Sequence, residues 1–234
     1  MLTLGIDTSA TTASVALVQD GQLISDFSLT GGLTHSEHLV GMIESALGYA
    51  GYLPKDIDLY AVSNGPGSFT GIRIGVSTVK GMAFAQDTPC VGISTLEALA
   101  YRLRLFNGIL CPVMDARRNE FYNALFSCKD QVITRLTPDR AISAADLDKE
   151  LSATPNAVVN GDGAQKLRGL LSQGLPVMLA PQGQLRQSAV EVALLGEVYH
   201  AQQKSVSCQT LSPVYLRMPQ AERELLQKQK GEIK

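Results

Sequence analysis

The sequence has few of the residues that build disulfide frameworks and common metal sites. It contains no tryptophan, three histidines and four cysteines. The cysteines are widely spaced and form no C-x-x-C pair, a pattern typical of reduced thiols and not of a disulfide framework or a zinc site. They are Cys90, Cys111, Cys128 and Cys208. Cysteine use therefore favours a cytoplasmic protein.

Long apolar runs are also missing. The start, MLTLGIDTS, has neither the positive region nor the apolar stretch of a signal peptide, and no later segment approaches the length of a membrane span. No membrane partner is expected. The 234 residues, 45% of them hydrophobic, suffice for one large or two modest domains.

Neither sign of charge dominates the chain. Twenty basic and 22 acidic residues give a net charge of -2, and they are intermixed. A basic footprint for nucleic acid is not visible, so contact with RNA would require a partner protein or a local patch.

The usual catalytic motifs are absent as well. There is no G-x-S-x-G elbow, no H-E-x-x-H, and no nucleophile with an obvious base. His35 and His38 could pair on a metal beside Glu37, but helical zinc pairs usually sit four residues apart, and no third ligand is in evidence. Structural or solvated histidines are favoured over a metallopeptidase site.

The most distinctive stretch that is present is NGPGSFTGIRIGVSTVKGMAF, residues 64–84. Its glycine-rich turn leads into a helix that Ser68 or Thr70 could cap. Two sides of this helix are unusual. Glycines recur every four residues on one side, and an apolar stripe runs along a neighbouring side. We expect one side to face the parent sheet and the other to face a partner. The glycines are Gly67, Gly71 and Gly75, and the stripe is Ile72, Val76, Val79 and Ala83.

A phosphate cradle at this turn, with Arg73 nearby, is the alternative interpretation. The spacing fits neither the Walker A loop nor the dinucleotide fingerprint. The Walker A loop requires a lysine after its last glycine, and no lysine follows Gly71; the interval before Gly71 is one residue longer than the fingerprint allows. Close helix packing is therefore favoured.

Two other turns could contact a nucleotide. Asp7, Thr8 and Ser9 end a short apolar strand, and their oxygens could hold a phosphate and its metal or form a plain Asx turn. Gly161, Asp162 and Gly163 lie between a predicted strand and a predicted helix.

The predicted elements form an α/β protein with mixed sheets flanked by helices. Residues 1–106 alternate strands and helices, and a second unit, 107–212, begins with strand, turn and strand again, the turn containing Asp115. Residues 213–234 form a C-terminal segment, predicted to be a charged amphipathic helix that frays. The helix of residues 34–51 is apolar around nearly its whole circumference, which predicts burial between two surfaces.

The chain closely resembles the bacterial TsaB (YeaZ) family. The motifs that carry the resemblance cover most of the sequence in the right order. They are GIDTS at 5–9, HSEHLVGMI at 35–43, the stretch at 64–84, DARRNEFY at 115–122, NGDGA at 160–164 and PVYLR at 213–217. The resemblance implies the two-lobed fold of actin, hexokinase and Hsp70 (the ASKHA fold), in agreement with the repeated plan.

The resemblance also implies a function. TsaB-type proteins are partners of a catalytic subunit, TsaD, and with the ATPase TsaE they support threonylcarbamoyl transfer to adenosine 37 (t6A) of tRNAs that read ANN codons. The implied role is a non-catalytic scaffold that meets tRNA only through the complex. No cofactor is expected for the isolated chain, whereas ATP and a metal are expected in the catalytic partner.

Comparison with TsaD implies that the site here is degenerate. The metal motif N-H-x-E-G-H corresponds to residues 94–99, so the two ligand positions hold Thr95 and Leu99, which cannot replace imidazole. Asp162 in the glycine turn would repel phosphate. No metal is expected in this chain.

The resemblance further implies that the helices of residues 35–50 and 69–86 pair with counterparts on TsaD, or on a second copy of this chain, as a four-helix bundle. We expect the interface to include Leu39, Met42, Ile43, Gly71, Ile72, Gly75, Val76 and Val79, and Val76→Asp to weaken pairing without unfolding the lobe. An independent nucleotide-dependent phosphotransferase or ATPase using Asp7, Thr8, Ser9 and the turn at 161–163 is the alternative function.

Overall fold

The computed structural model describes residues 1–31, 34–154 and 156–217. Two mixed sheets form the framework. The first has five strands in the order β3-β2-β1-β4-β5, with β1–β2 and β2–β3 antiparallel and β1–β4 and β4–β5 parallel. Its strands are β1 (Leu2–Asp7), β2 (Thr12–Gln19), β3 (Gln22–Thr30), β4 (Leu59–Gly65) and β5 (Cys90–Ser94).

Three helices follow strands of this first sheet. They are α1 (His35–Ala50), α2 (Phe69–Phe84) and α3 (Thr95–Arg102). Serine side chains begin two of them: Ser68 accepts from the backbone N–H of Gly71, and Ser94 accepts from that of Glu97. Thr34 precedes α1, as predicted, but its side chain makes no capping bond, whereas Gly51 ends the helix with a left-handed φ of 76°.

The second sheet has seven strands. Its main path is β10-β7-β6-β11-β12, and β8 pairs with both β6 and β9. The strands are β6 (Gly108–Asp115), β7 (Glu120–Asn123), β8 (Phe126–Lys129), β9 (Val132–Arg135), β10 (Arg140–Ser143), β11 (Ala157–Asn160) and β12 (Val177–Leu179). The helices α4 (Ala144–Ser152) and α5 (Ala164–Arg168) belong to this part of the chain.

The last helix, α6 (Ala189–Ala201), returns to the first sheet and packs on β1, β2 and β4. Alternating residues of β4 show that the sheet is covered on both faces. Tyr60 and Val62 pack with α1 and α2, whereas Leu59 and Ala61 pack with α6. Gly5 permits this close approach, because a Cβ there would lie 2.9 Å from the Cβ of Ala193.

The structure modifies several predicted elements. The helix predicted after Gly163 is only five residues long, α5, and the second strand predicted at the start of the second unit is two strands, β7 and β8. Strands β9, β10 and β12 were not predicted. Although the sequence groups residues 189–201 with the second unit, they pack on the first sheet. The boundary after residue 106 stays a prediction.

The predicted C-terminal helix cannot be assessed beyond residue 217, because residues 218–234 lie outside the described residues. Residues 213–217 are described, and they are not helical. Within the residues that are described, no helix is long and apolar enough to span a membrane.

Candidate functional site

A cleft of about 540 Å³ lies between the two sheets. Both halves of the chain contribute to its walls. The first half supplies the turn after β1 and the start of α2, and the second half supplies the turn after β6 and Asp162. The residues concerned include Ser9, Ala10, Thr11, Gly67, Ser68, Thr70, Asp115, Arg117 and Asp162. The structure therefore brings together the turns that the sequence singled out for nucleotide contact.

Asp7 does not line this cleft; it is fully buried beneath it. One carboxylate oxygen accepts hydrogen bonds from the backbone N–H of Ser9 (2.9 Å) and the Ser9 hydroxyl (2.7 Å). The other accepts from the hydroxyl of Ser63 on β4, at 2.6 Å. Burial raises the pKa of Asp7, although the hydrogen bonds from Ser63 and Ser9 oppose that shift. The carboxylate thus joins the turn to the sheet.

Thr8 is held by the start of α2. Its hydroxyl donates to the carbonyl of Gly71 at 2.7 Å, and the backbone N–H of Ser68 donates to the carbonyl of Ser9 at 2.7 Å. A Cβ on Gly71 would overlap the carbonyl oxygen of Thr8, and one on Gly75 would lie 2.5 Å from the Thr8 hydroxyl. The glycine side of α2 therefore faces the chain's own turn after β1, and not a partner as predicted.

The glycine turn at 161–163 packs in a similar way against β6. Gly161 has a φ of 101°, and its added Cβ would overlap the carbonyl oxygen of Val113. Asp162 accepts one hydrogen bond from Gln187 at 3.3 Å. Burial raises the pKa of Asp162, and the nearby charge of Asp115 raises it further. An incoming phosphate would add a second repulsive charge to this carboxyl group.

The segment 214–217 also lines the cleft, which sequence reasoning missed. The backbone N–H of Val214 donates to the carbonyl of Asn64 at 2.7 Å. The hydroxyl of Tyr215 accepts from Arg73 at 2.8 Å. Arg217 reaches the other wall, where it donates to the carbonyl of Ala116 at 3.1 Å and forms an ion pair with Glu120. The motif PVYLR contributed to the resemblance, but its pattern does not reveal a contact between the two halves.

The positions matched to metal ligands are internal. Leu99 is 1% exposed and packs in the core of the second sheet, and Thr95 is fully buried. His35 contacts the carbonyl of Ala10 at 2.6 Å, and His38 lies 4.0 Å from Glu37. In the parts of the chain that the structure describes, no three histidine, cysteine, aspartate or glutamate side chains are grouped as a metal site would require.

The predicted partner-interface residues are, with one exception, buried within this chain. Leu39, Ile43, Ile72, Val76 and Val79 are at most 3% exposed and form the core beneath α1 and α2. Gly71 and Gly75 are buried against Thr8, whereas Met42 is half-buried. The side chains assigned to a partner thus pack on their own sheet. Val76→Asp would bury a charge in this core, so it would unfold the chain instead of testing pairing.

The opposite side of α1 and α2 is open to solvent. Val40 is 55% exposed, Tyr49 86% and Phe84 71%. Three glycines on these helices are exposed, and among residues 1–31, 34–154 and 156–217 a Cβ built on any of them would meet no atom within 4 Å. They are Gly41 and Gly48 on α1, seven residues apart, and Gly81 on α2. We call these six residues the outer face of α1 and α2.

Comparison with known proteins places the chain in a family. Residues 32–176 match the family model described as TsaD, tRNA N6-adenosine threonylcarbamoyltransferase. The tRNA threonylcarbamoyladenosine biosynthesis protein TsaB of Bacillus subtilis is 31% identical over 98% of this chain and 100% of its own length. The chain belongs to the TsaB family of tRNA threonylcarbamoyladenosine biosynthesis proteins.

Solved structures agree with membership of the TsaB family. YeaZ from Pseudomonas aeruginosa superposes with a TM-score of 0.80 at 25% identity, covering 92% of this chain and 99% of that one. The (R)-2-hydroxyglutaryl-CoA dehydratase component A of Acidaminococcus fermentans reaches a TM-score of 0.50 at 13% identity over 86% of this chain and 99% of that one, a likeness in fold alone. The two mixed sheets flanked by helices form the predicted two-lobed actin-like fold.

Proposed function

We propose that this chain is a non-catalytic scaffold subunit of threonylcarbamoyl transfer to tRNA, and that it pairs with a TsaD-type catalytic subunit through the outer face of α1 and α2. The observation that carries the proposal is the open glycine and apolar surface of these two helices. Membership of the TsaB family places the chain in tRNA threonylcarbamoyladenosine biosynthesis. The match to the TsaD family model supports a partner of related fold.

The glycines of the outer face argue for a close partner. A glycine inside a helix is less favourable than alanine by about 0.5–1 kcal/mol. Contact with Thr8 requires glycine at positions 71 and 75, but no residue that the structure describes contacts the open side of Gly41, Gly48 or Gly81. A second helix backbone packed against them would explain why larger residues are absent there.

The exposed apolar residues of the outer face support the same interpretation. Val40, Tyr49 and Phe84 present large apolar surfaces to solvent on the two helices. Burial of such side chains contributes roughly 1.5–3 kcal/mol each before the costs of association are subtracted. A four-helix bundle with TsaD would bury them. A homodimer of this chain through the same face is the state we expect when TsaD is absent.

The cleft supports a non-catalytic role. Asp7 and Thr8 are engaged within the fold, Asp162 adds negative charge, and segment 214–217 crosses from one wall to the other. We therefore assign ATP and the metal to the catalytic partner. In this proposal TsaE acts on the assembled complex, and this chain contacts tRNAs that read ANN codons only as part of that complex.

Pairing can be tested with a charged side chain on the open side of α2. Gly81→Arg places a long cation where the monomer has free space, so we expect the variant to fold normally and to lose capture of the TsaD-type subunit in a pull-down. Ala145→Arg is the matched control, since Ala145 is an exposed residue of α4 on the second sheet. Equal capture by wild type, control and Gly81→Arg would refute this interface.

The alternative function is an independent nucleotide-dependent phosphotransferase or ATPase. One observation favours it: the cleft has a volume of about 540 Å³. It requires ATP binding by the isolated chain. It also requires that nucleotide displace residues 214–217 or share the cleft with them.

A further inference from the structure

The turn between β6 and β7 has an unusual backbone. Arg117, Arg118 and Asn119 have φ values of 65°, 54° and 58°. This left-handed region is disfavoured for residues with a side chain, although asparagine tolerates it better than arginine does. Glycines would form the same turn at lower cost. We therefore infer that the two successive arginines are present because their side chains have a role.

The acidic residues at both ends of the turn are neutralised by other cations. The Asp115 carboxylate lies 2.8 and 3.0 Å from the ammonium group of Lys166, and Glu120 pairs with Arg217. Arg117 and Arg118 are exposed, and neither forms an ion pair with a residue that the structure describes. The turn consequently presents two uncompensated guanidinium groups.

Backbone hydrogen bonds fix the position of this turn. The N–H of Arg117 donates to the Asp115 carboxylate at 2.8 Å, and the N–H of Glu120 donates to the carbonyl of Arg117 at 3.1 Å. The carbonyl of Asn119 accepts from the N–H of Ala144 at 3.0 Å. Arg117 also lies at the edge of the cleft. The two arginines are thus held on a preorganised support, which reduces the entropy lost on binding.

We propose that Arg117 and Arg118 form a phosphate-binding patch that contacts the tRNA backbone in the assembled complex. This inference rests on the proposed function. Guanidinium groups match phosphate geometry with paired N–H donors. The three residues of the turn are polar and exposed, so the patch lacks the apolar centre that a protein interface usually contains, whereas phosphate contact needs none. With a net charge of -2 overall, the chain carries this patch as a local feature.

The test uses the complex reconstituted with the TsaD- and TsaE-type partners and an unmodified tRNA transcript, with affinity measured by fluorescence anisotropy at several salt concentrations. We expect the double variant Arg117→Gln/Arg118→Gln to bind roughly tenfold more weakly and to lower the slope of log affinity against log salt by about 1 to 2. Lys55→Gln/Lys129→Gln removes the same charge elsewhere and should change neither quantity. These two lysines are exposed.

The outcomes separate this inference from the proposed function. If the double variant assembles normally and both tRNA affinity and salt slope match wild type, the patch is wrong and the scaffold proposal is untouched. If the double variant fails to capture the TsaD-type subunit, the arginines bind a protein partner, which also overturns phosphate binding. Loss of capture by Gly81→Arg, with wild-type tRNA behaviour in the double variant, would sustain the scaffold proposal alone.

Discussion

At the scale of single residues, Asp7 has a carboxylate that could bind a metal but serves in this fold as a buried hydrogen-bond acceptor. Its carboxylate accepts three hydrogen bonds from Ser9 and Ser63 and does not reach the cleft. The sequence places Asp7 in a tight turn but cannot distinguish a metal ligand from a buried acceptor. The deciding contact comes from Ser63, 56 residues away, and local pattern carries no information about it.

The raised pKa of Asp7 predicts a pH effect on stability. Between the ordinary value of 3.8 and the raised value in the folded state, the folded chain binds more protons than the unfolded chain. Stability contributed by this group therefore falls as pH rises through that window. Asp7→Asn removes the ionisation, so its free energy of unfolding relative to wild type should increase as pH rises above the ordinary carboxyl pKa of 3.8 in urea titrations.

The same variant also separates the two functions. In the scaffold account, Asp7→Asn should still support threonylcarbamoyl transfer when mixed with the partner proteins. A folded Asp7→Asn chain that leaves the mixture inactive would show that the carboxylate has a chemical role.

At the scale of elements, α2 has two glycine-bearing sides with opposite requirements. Gly71 contacts the carbonyl of Thr8, whereas a Cβ on the open side of Gly81 would lie more than 4 Å from the rest of the described structure. Periodicity correctly predicted the helix, but both sides that it singled out pack within this chain: Gly71 lies against Thr8, and Val76 and Val79 are core residues. The pattern did not indicate the third, open side that carries Gly81, so Val76 and Val79 were assigned to a partner.

This difference predicts opposite effects of the same substitution on one helix. Gly71→Ala should destabilise the chain by about 1–3 kcal/mol, because the methyl group collides with the backbone of Thr8. Gly81→Ala should stabilise the monomeric chain, measured at a concentration too low for pairing, by about 0.5–1 kcal/mol, because alanine favours the helix and would contact no atom of the described residues. Urea unfolding of both variants measures these changes. A Gly71→Ala chain as stable as Gly81→Ala would contradict the packing described here.

At the scale of the whole molecule, the chain returns from the second sheet to the first at α6 and continues along the first sheet to residue 206. Helix α6 packs on β1, β2 and β4, and Val206 forms a β-bridge with Cys90. Sequence reading predicted the α/β class and the repeated strand–turn–strand plan, because those depend on local alternation. It missed this return and the later contacts of residues 206–217, since nothing in the local pattern of either segment specifies a distant sheet.

Arg217 gives a direct test of the link across the cleft. Its guanidinium binds the carbonyl of Ala116 and Glu120 while Val214 and Tyr215 contact the opposite wall. Arg217→Ala should lower stability by about 1 kcal/mol, a modest value because Glu120 is 41% exposed. Hydrogen exchange of residues 115–120 should accelerate. Lys149→Ala, which breaks the exposed pair with Asp146, should leave that exchange unchanged.

In the proposed function, this chain contributes a binding surface to the complex and not a nucleotide site. Titration calorimetry of ATP and magnesium into the purified chain, repeated after addition of the TsaD-type subunit, tests it most directly. We expect no binding heat for the isolated chain and stoichiometric binding in the mixture. Stoichiometric binding by the isolated chain would contradict the proposed function and would establish the cleft as a working nucleotide site.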